Sequence, residues 1–390
     1  MKIGLVATYN NNYGSLLQVY ATQKVLKQIG YDSEIISYRK RNPFTQFLRL
    51  FNFPLLKMKI KDSGKFLITK LRYKEIYNSL NLRNQKFQEF RGNYLTFSKK
   101  ISNDKELKSL FNNGEYFSCL LGSDQLWNPI NYGTHFFTLE KIPQGTFKIT
   151  YAPSFGVKKI PWYQIKGTKK YLKRIQKISV REEQGQKIVK ELINKDVPVV
   201  CDPTLLIDKS EWDKLKGEQA VVGEKYVFCY FLGKEKAHRE LAKKYATEKG
   251  LKIVALQHLD EFVKSDVGFA DYSLYDVAPP QFINLIANAE FVFTDSFHGS
   301  IFSILYKKRF ITLPRFAVKN TSGTNSRLQN LFKKLGLEHK WNPLPEIVDL
   351  ALNSEIRSDV YQRIDELRGS SMEYLKDSLR QAVEYYENNK

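Results

Sequence analysis

Short apolar runs alternate along the chain with amphipathic stretches of helical spacing. The apolar runs span 2–8, 116–121, 148–151, 197–201, 226–232, 252–256, 291–293 and 309–313. After the first run, an apolar stripe from Leu17 to Ile29 predicts a helix that Ser15 caps and Gly30 ends. Strands that alternate with helices in this way indicate parallel sheets with helices on both faces.

The pattern lapses near 211–224 and then restarts, which divides the chain into two α/β halves. Two such halves with a cleft between them are the architecture of GT-B transferases. We therefore predict an α/β, GT-B-like fold in which two Rossmann-like domains have parallel sheets that face a central cleft. The expected parts are an acceptor-side domain at 1–175 with a basic and aromatic helical insertion at about 40–110, a donor-binding domain at 176–350, and helices at 351–390 that pack back on the N-terminal domain.

The stretch 291–313 is predicted to form a strand, a turn, a helix and a second strand. Its turn holds Thr294, Asp295 and Ser296, and His298 and Gly299 fall where the helix begins. Ligands of open α/β sheets lie at the carboxyl ends of strands, and a helix N-terminus attracts anions. A lone histidine is more often an ordinary polar residue, but this position makes His298 a candidate catalytic residue.

Polar loops also follow the strands of the first half. The loop 122–129 offers Asp124 and Gln125 for sugar hydroxyls and Trp127 for stacking on a saccharide, although a core position for Trp127 is the alternative. The Asn- and Gly-rich turn at 9–15 lacks the dinucleotide and P-loop glycine patterns. It is therefore either a sugar or phosphate loop or a simple polar turn.

Arg181 lies where a short β-like run meets a predicted helix. Its planar guanidinium suits a carboxylate or a phosphate, because two parallel N–H groups match two oxygens. An ordinary surface arginine is the alternative.

The formal net charge of +21 is unevenly distributed. Between 39 and 108, 18 Lys and Arg residues stand against 5 Asp and Glu residues, and the cations alternate with bulky apolar residues. This composition suits an anionic membrane surface, and it suits a solvated basic face over a helical insertion equally well. We expect no nucleic acid as a partner, because no nucleic-acid-binding motif is recognisable.

The three cysteines each lie inside an apolar run without a CxxC pair, which favours buried thiols in a reducing compartment. No His and Asp cluster has metal-ligand spacing, so we expect neither a metal nor a cofactor. No uncharged run reaches the roughly 18–20 residues of a transmembrane helix, and the first residues lack the pattern of a signal peptide. The expected location is the cytoplasm, with peripheral contact at the inner face of the cell membrane as an option.

Five motifs together resemble the polysaccharide pyruvyl transferase family. They are Asn12-Tyr-Gly-Ser-Leu-Leu-Gln18, Gly122-Ser-Asp-Gln-Leu-Trp-Asn128, Ser179-Val-Arg-Glu182, Cys201-Asp-Pro-Thr204 and Asp295-Ser-Phe-His-Gly-Ser300. The resemblance implies a GT-B-like enzyme that moves pyruvate from phosphoenolpyruvate onto two hydroxyls of a sugar as a cyclic ketal. Such sugars belong to exopolysaccharides, capsules or cell-wall polymers and are often built on a lipid carrier.

The resemblance also implies roles for individual residues. His298 matches the active-site histidine, and Arg181 matches the arginine for the phosphoenolpyruvate anion. The expected catalytic set is His298, Asp124 and Asp295. The expected donor-binding set is Arg181, Ser296, Gly299, Ser300 and Arg327. The expected acceptor-binding set is Asn12, Tyr13, Gly14, Gln125 and Trp127.

One position departs from the family pattern. Some members carry an arginine and a leucine immediately before the histidine, where this chain has Ser296 and Phe297. We expect Arg327 or Arg315 to supply the missing cation in space. Two other functions fit the residues: a nucleotide-sugar glycosyltransferase on the same scaffold, and a non-catalytic protein that binds anionic glycans or a membrane surface through the basic insertion.

Overall fold

The computed structural model describes residues 2–38, 74–257, 263–315, 325–343 and 348–389. The part of the predicted basic insertion at 39–73 lies outside these residues. Nine strands form two parallel sheets within the described ranges. They are β1 (Lys2–Val6), β2 (Asp32–Ile35), β3 (Tyr116–Leu121), β4 (Phe147–Thr150), β5 (Tyr226–Tyr230), β6 (Lys252–Leu256), β7 (Tyr272–Leu274), β8 (Phe291–Thr294) and β9 (Arg309–Thr312).

Thirteen helices cover these sheets in the described part of the chain. They are α1 (Tyr13–Gln28), α2 (Lys74–Tyr94), α3 (Asp104–Asn112), α4 (Ile165–Leu172), α5 (Glu183–Ile193), α6 (Pro203–Leu206), α7 (Lys209–Lys216), α8 (Lys236–Lys249), α9 (Pro279–Asn288), α10 (Phe297–Leu305), α11 (Asn325–Leu335), α12 (Val348–Asn353) and α13 (Ser358–Asn388). None of the described helices is long and apolar enough to cross a membrane.

The first sheet has the strand order β2-β1-β3-β4, and every pairing is parallel. β3 and β4 are buried along their whole length, as expected for strands with helices on both faces. The second sheet has the order β7-β6-β5-β8-β9 and is also parallel throughout. Because the strands of a parallel sheet end at one edge, each sheet gathers its polar loops there.

The segment 177–200 belongs to the first sheet, which corrects the predicted domain boundary at 175. Ile149 pairs with Lys177, and Val180 pairs with Val199, both in parallel. These single bridges extend the sheet beyond β4, although the runs are too short and irregular to form named strands. Arg181 is therefore held by the first half of the molecule and lies beside the carboxyl end of β4.

Two helices, one in the C-terminal region and one in the predicted insertion, pack against this framework. On α13, Tyr374 donates from its hydroxyl to the carbonyl of Thr150 at the end of β4, and Ser371 accepts from the backbone N–H of Cys201. On α2, Phe87 and Phe90 are buried in the core, so this part of the basic insertion packs as an ordinary helix.

Candidate active site

The site lies where the N-terminus of α1, from the first half, meets the N-terminus of α10, from the second half. Asn12 caps α1 by accepting from the N–H of Ser15, and Ser296 caps α10 by accepting from the N–H of Gly299. A Cβ added to Gly14 would lie 2.0 Å from Nδ1 of His298. The glycine is therefore what allows α1 to approach the histidine so closely.

His298 is buried in the first turn of α10, with 7% of its surface exposed. Its Nε2 lies 3.6 Å from Oδ2 of Asp202, too far for a hydrogen bond, and has no other partner among the described residues. A buried ring nitrogen without a partner is uncommon in folded proteins, and contact with a bound ligand would satisfy it. The imidazole is thus close to a carboxylate and has a free nitrogen.

Asp202 is fully buried and pairs with a cation from the same half. Arg181 donates to its Oδ2 at 2.6 Å, and Thr204 donates to Oδ1 from its hydroxyl and its backbone N–H. Burial by itself raises the pKa of Asp202, but the contributions of His298, Arg181 and Thr204 outweigh burial and hold that pKa well below its usual range. Asp202 is consequently a permanent negative charge in the site.

Two arginines converge on the ring of Phe297. The guanidinium carbon of Arg181 lies 4.7 Å from the ring centroid, and that of Arg327 lies 5.5 Å from it. Nε and Nη2 of Arg181, and Nε of Arg327, are buried and have no hydrogen-bond partner among the described residues. Burial and the neighbouring Arg181 lower the pKa of Arg327 to about 9, against the attraction of Asp124 and Glu182. The site therefore holds more buried N–H donors than its own acceptors satisfy.

Asp124 stands between these arginines in the loop after β3. Its Oδ1 lies 3.7 Å from Nη2 of Arg181 and 4.0 Å from Nη1 of Arg327, and its Oδ2 accepts from the Ser15 hydroxyl at 2.8 Å. Burial raises the pKa of Asp124, but the two arginines, His298 and Ser15 lower it further than burial raises it. The backbone of Asp124 has a φ of 86°, a left-handed conformation that is uncommon for a residue other than glycine.

The structure corrects the expectation that Trp127 and Tyr13 contact a sugar. Trp127 is a core residue, because its ring packs on Phe155 and its Nε1 donates to the carbonyl of Phe137. Tyr13 is fully buried between the halves, where it stacks on Phe282 and donates to a backbone carbonyl. Both rings are engaged in packing and cannot present a face to a ligand.

Asp295 and Ser300, predicted as a catalytic and a donor-binding residue, each make a structural contact. The carboxylate of Asp295 accepts from the backbone N–H groups of Leu232 and Gly233 at 2.7 Å each. The hydroxyl of Ser300 is completely buried and lies 2.7 Å from that of Thr312 on β9. The first residue fixes the loop after β5, and the second fixes α10 to the sheet.

The remaining predicted residues lie at the edge of the cluster. Gln125 follows Asp124, and its Nε2 is buried with no partner among the described residues. Gly299 packs against Thr294, where a Cβ would come within 2.6 Å of the Thr294 hydroxyl oxygen. Of the two arginines expected to supply the missing cation, Arg327 approaches both Asp124 and the ring of Phe297. Arg315 lies beside Gly233 and Asp295 instead, where a Cβ at Gly233 would meet both residues.

Asp202 and Phe297 are site residues that the sequence reasoning missed. Asp202 was predicted only as part of the motif Cys201-Asp-Pro-Thr204, although an aspartate directly after a buried strand is a usual site position. Phe297 was noted only as a departure from the family pattern, since the two arginines that contact its ring come from distant parts of the chain.

The described residues contain no group of three or more His, Cys, Asp or Glu side chains that could hold a metal ion. Cys119, Cys201 and Cys229 are buried and form no disulfide.

These features define a GT-B-like α/β protein with a histidine, two arginines and two carboxylates in the cleft between its halves. The chain belongs to the polysaccharide pyruvyl transferase family, whose family model matches residues 12–315. The predicted family is thereby confirmed, and with it a transferase of polysaccharide biosynthesis. No curated protein matches the chain.

Solved structures of UDP-GlcNAc 2-epimerases are similar in fold. The enzyme from Neisseria meningitidis, bound to UDP-GlcNAc, superposes with a TM-score of 0.51 at 11% identity, covering 98% of this chain and 100% of that one. The enzyme from Methanocaldococcus jannaschii gives a TM-score of 0.52 at 12% identity, covering 92% and 94%. At these identities the likeness concerns the fold alone, and it confirms the predicted GT-B-like architecture.

Proposed function

We propose that the protein transfers pyruvate from phosphoenolpyruvate to two hydroxyls of a saccharide and forms a cyclic pyruvate ketal. The observation that carries the proposal is the pair of buried arginines, Arg181 and Arg327, which lie against the Phe297 ring and carry N–H groups that have no partner among the described residues. A donor with a carboxylate and a phosphate supplies the acceptors that these groups lack. Family membership supports the same reaction class.

The reaction requires one proton and two hydroxyls. Protonation of the phosphoenolpyruvate methylene carbon turns it into a methyl group and leaves an oxocarbenium centre at the neighbouring carbon. One sugar hydroxyl bonds to that carbon, the C–O bond to phosphate breaks, and the second hydroxyl closes the ring. Of the two protons released by the hydroxyls, one balances the proton placed on carbon, and the other leaves with the phosphate.

Each residue of the cluster fits one need of this reaction. We assign the general acid to His298, because a carboxylate at Asp202 can balance the positive charge of a protonated imidazole. Asp124 stays ionised beside the arginines and is the candidate base for an acceptor hydroxyl. The N-terminus of α10 and the two guanidinium groups stabilise the anionic donor.

A saccharide acceptor follows from the family, and a lipid-linked form of that saccharide belongs to the proposal. The rival function is transfer from a nucleotide sugar, since the epimerase from Neisseria meningitidis shares the fold and binds UDP-GlcNAc. A diphosphate would use the same arginines, so geometry alone does not separate the two donors.

Calorimetric titration separates them. Phosphoenolpyruvate and UDP-GlcNAc are titrated separately into the wild type and into Arg181→Ala, Arg327→Ala and His298→Ala. We expect phosphoenolpyruvate to bind the wild type and to lose about tenfold to a hundredfold in affinity with each arginine variant, because a hydrogen bond to a charged group contributes roughly 1.5–3 kcal/mol.

Arg309→Ala is the matched control, because Arg309 is an exposed arginine at the opposite, amino end of β9. It should leave donor affinity unchanged. Binding of UDP-GlcNAc without phosphoenolpyruvate would overturn the proposal. With a saccharide acceptor, His298→Ala should retain donor binding but release phosphate at least about a hundredfold more slowly, as expected for loss of a general acid.

A further inference from the structure

An exposed apolar cluster projects from the first half of the molecule. Its members, here called the aromatic tip, are Ile130, Trp162, Tyr163 and Ile165, which are 78%, 83%, 67% and 41% exposed. The Trp162 and Tyr163 rings touch each other edge to face, with centroids 5.8 Å apart. Large side chains grouped on a surface usually mark a contact with a partner or a membrane.

The aromatic tip is one structural unit. Gln164, in the 3₁₀ turn Trp162–Gln164, donates from its side chain to the carbonyl of Pro129, directly before Ile130. Tyr132 lies against Gly167 at the start of α4, so closely that a Cβ there would meet its hydroxyl oxygen at 1.7 Å. The two segments that form the tip are thus fixed to each other.

A row of lysines along α4 and directly after its end adjoins the aromatic tip. The row, here called the lysine stripe, consists of Lys166, Lys169, Lys170 and Lys173. Their spacing of three, four and seven residues places them on one side of the helix, while Thr168, Tyr171 and Leu172 face the core. All four lysines are exposed, and none forms an ion pair with any residue that the structure describes.

The chain segment that contains Trp162 and α4 carries charge of one sign. No Asp or Glu occurs between Glu140 and Glu182, and two further exposed lysines, Lys158 and Lys159, precede Trp162. A tryptophan and a tyrosine with aliphatic neighbours fit the boundary between lipid headgroups and acyl chains, and unpaired lysines fit anionic headgroups. Lysine is depleted at protein–protein interfaces, which disfavours a protein partner.

We infer that the aromatic tip and the lysine stripe form a docking surface for an anionic lipid membrane. The surface is distinct from the predicted basic insertion, and the inference does not depend on the proposed reaction. Single-stranded nucleic acid is the competing ligand, since it also takes lysines and aromatic rings. Ile130 and Ile165 favour the membrane, because an aliphatic side chain offers no stacking face to a base.

The docking surface adjoins the candidate active site along the chain. Asn131, next to Ile130, donates from its side chain to the carbonyl of Gln125, and Gln125 follows Asp124. A membrane bound at the aromatic tip would therefore lie near the loop that carries the candidate base. This arrangement suits an acceptor that is anchored in the membrane.

Tryptophan fluorescence tests the inference directly. Trp127 and Trp212 are buried and Trp341 is half-buried, so Trp162 is the most exposed of the four tryptophans. Vesicles of phosphatidylglycerol and phosphatidylcholine in equal parts should shift the emission to shorter wavelength, and brominated lipid should quench it. Vesicles of phosphatidylcholine alone should do neither, and Trp162→Phe should remove both signals.

Sedimentation with the same vesicles measures the partition coefficient. Exchange of the four stripe lysines for glutamine should lower it by about a hundredfold, because each lysine near an anionic surface contributes to binding. The matched control exchanges four exposed lysines of α8, Lys236, Lys243, Lys244 and Lys249, and should leave the coefficient unchanged.

Three results would overturn the inference. The first is an unchanged Trp162 emission with anionic vesicles. The second is vesicle binding that the stripe exchange does not weaken, which would move the membrane contact elsewhere in the chain. The third is binding of a single-stranded RNA oligonucleotide, without vesicle binding, that the stripe exchange abolishes.

Discussion

The carboxyl ends of the two sheets each bury an aspartate, and the two aspartates are held in opposite ways. In the first half, Asp202 is bonded by the guanidinium of Arg181, and its pKa lies well below the usual range. In the second half, Asp295 is bonded by two backbone N–H groups, and burial raises its pKa despite those bonds and the nearby Arg315. The two residues have similar burial but different partners.

The difference shows which half of the molecule supplies charged side chains that can bind a ligand. Side-chain cations that keep free N–H groups are available to a ligand, whereas backbone N–H groups that are already bonded are not. Among the described residues, Arg181 has N–H groups without a partner, whereas the backbone N–H groups of Leu232 and Gly233 are both bonded to Asp295. The first half therefore supplies most of the reactive polar groups, and the second half contributes His298 and Arg327 to them.

Exchange of Asp202 or Asp295 for asparagine tests the difference between the two aspartates and gives the largest expected effect. Asp202→Asn removes the carboxylate that is bonded to the buried Arg181 and leaves only the more distant Asp124 to balance this cation. We expect the free energy of unfolding to fall by about 3–5 kcal/mol. Asp295→Asn keeps a carbonyl oxygen for one of the backbone N–H groups, so we expect a loss of about 1–2 kcal/mol. Urea unfolding at neutral pH measures both, and equal losses would refute the distinction between the two ends.

The contact between the halves gives the next largest expected effect. Gly14→Ala places a Cβ 2.0 Å from Nδ1 of His298 and must displace either the imidazole or α1. We expect kcat to fall roughly tenfold to a hundredfold, in line with about 1–3 kcal/mol for overpacking. Gly122→Ala is the control, because its Cβ would meet no atom closer than 3.6 Å. Equal rates in the two alanine variants would show that the position of His298 is not set by α1.

Phe297 sharpens the comparison, since it is a ring from the second half that lies between arginines of both halves. Phe297→Leu removes two cation–π contacts, and we expect the affinity for phosphoenolpyruvate to fall about threefold to tenfold. Phe231→Leu is matched to it, because the guanidinium carbon of Arg239 lies 5.1 Å from the centroid of the Phe231 ring. That variant should lose stability but keep donor affinity. Calorimetry on both variants distinguishes a site effect from a general loss of packing.

Lys148 in the first half and Lys340 in the second are buried, and their effect on stability depends on pH. Lys148 and Lys340 each donate to two backbone carbonyls, and burial lowers the pKa of each to about 8. Between about pH 8 and 10.5 the unfolded chain keeps a proton on the lysine that the folded chain has lost, so each lysine makes stability rise with pH in that window.

Thermal unfolding between pH 7 and 10 measures this slope. Lys148→Met and Lys340→Met should each reduce the slope of stability against pH by the amount that corresponds to about one proton. The exposed Lys252→Met should leave this slope unchanged. An unchanged slope in both buried variants would mean that these lysines stay protonated in the fold.

The local pattern of apolar and polar residues predicted helices and strands better than it predicted the roles of aromatic residues. The helix start at Phe297 and the buried β3 follow from the order of apolar and polar residues. Trp127 and Tyr13 have the composition of sugar-binding residues, yet their rings fill the core. An aromatic ring in a polar loop has the same sequence signal whether it faces a ligand or the interior, because only long-range packing decides which face is covered.

The order of residues along the chain is enough to predict the two parallel sheets, the loops at their carboxyl ends and the family, since hydrophobic period and short motifs are properties of neighbouring residues. Folding in three dimensions was needed to show that 177–200 joins the first sheet, that Asp202 faces His298, and that Arg181 and Arg327 meet across Phe297. These contacts join residues from about 20 to about 150 positions apart. Their geometry depends on how the two halves pack against each other, and this packing cannot be predicted from the pattern of neighbouring residues.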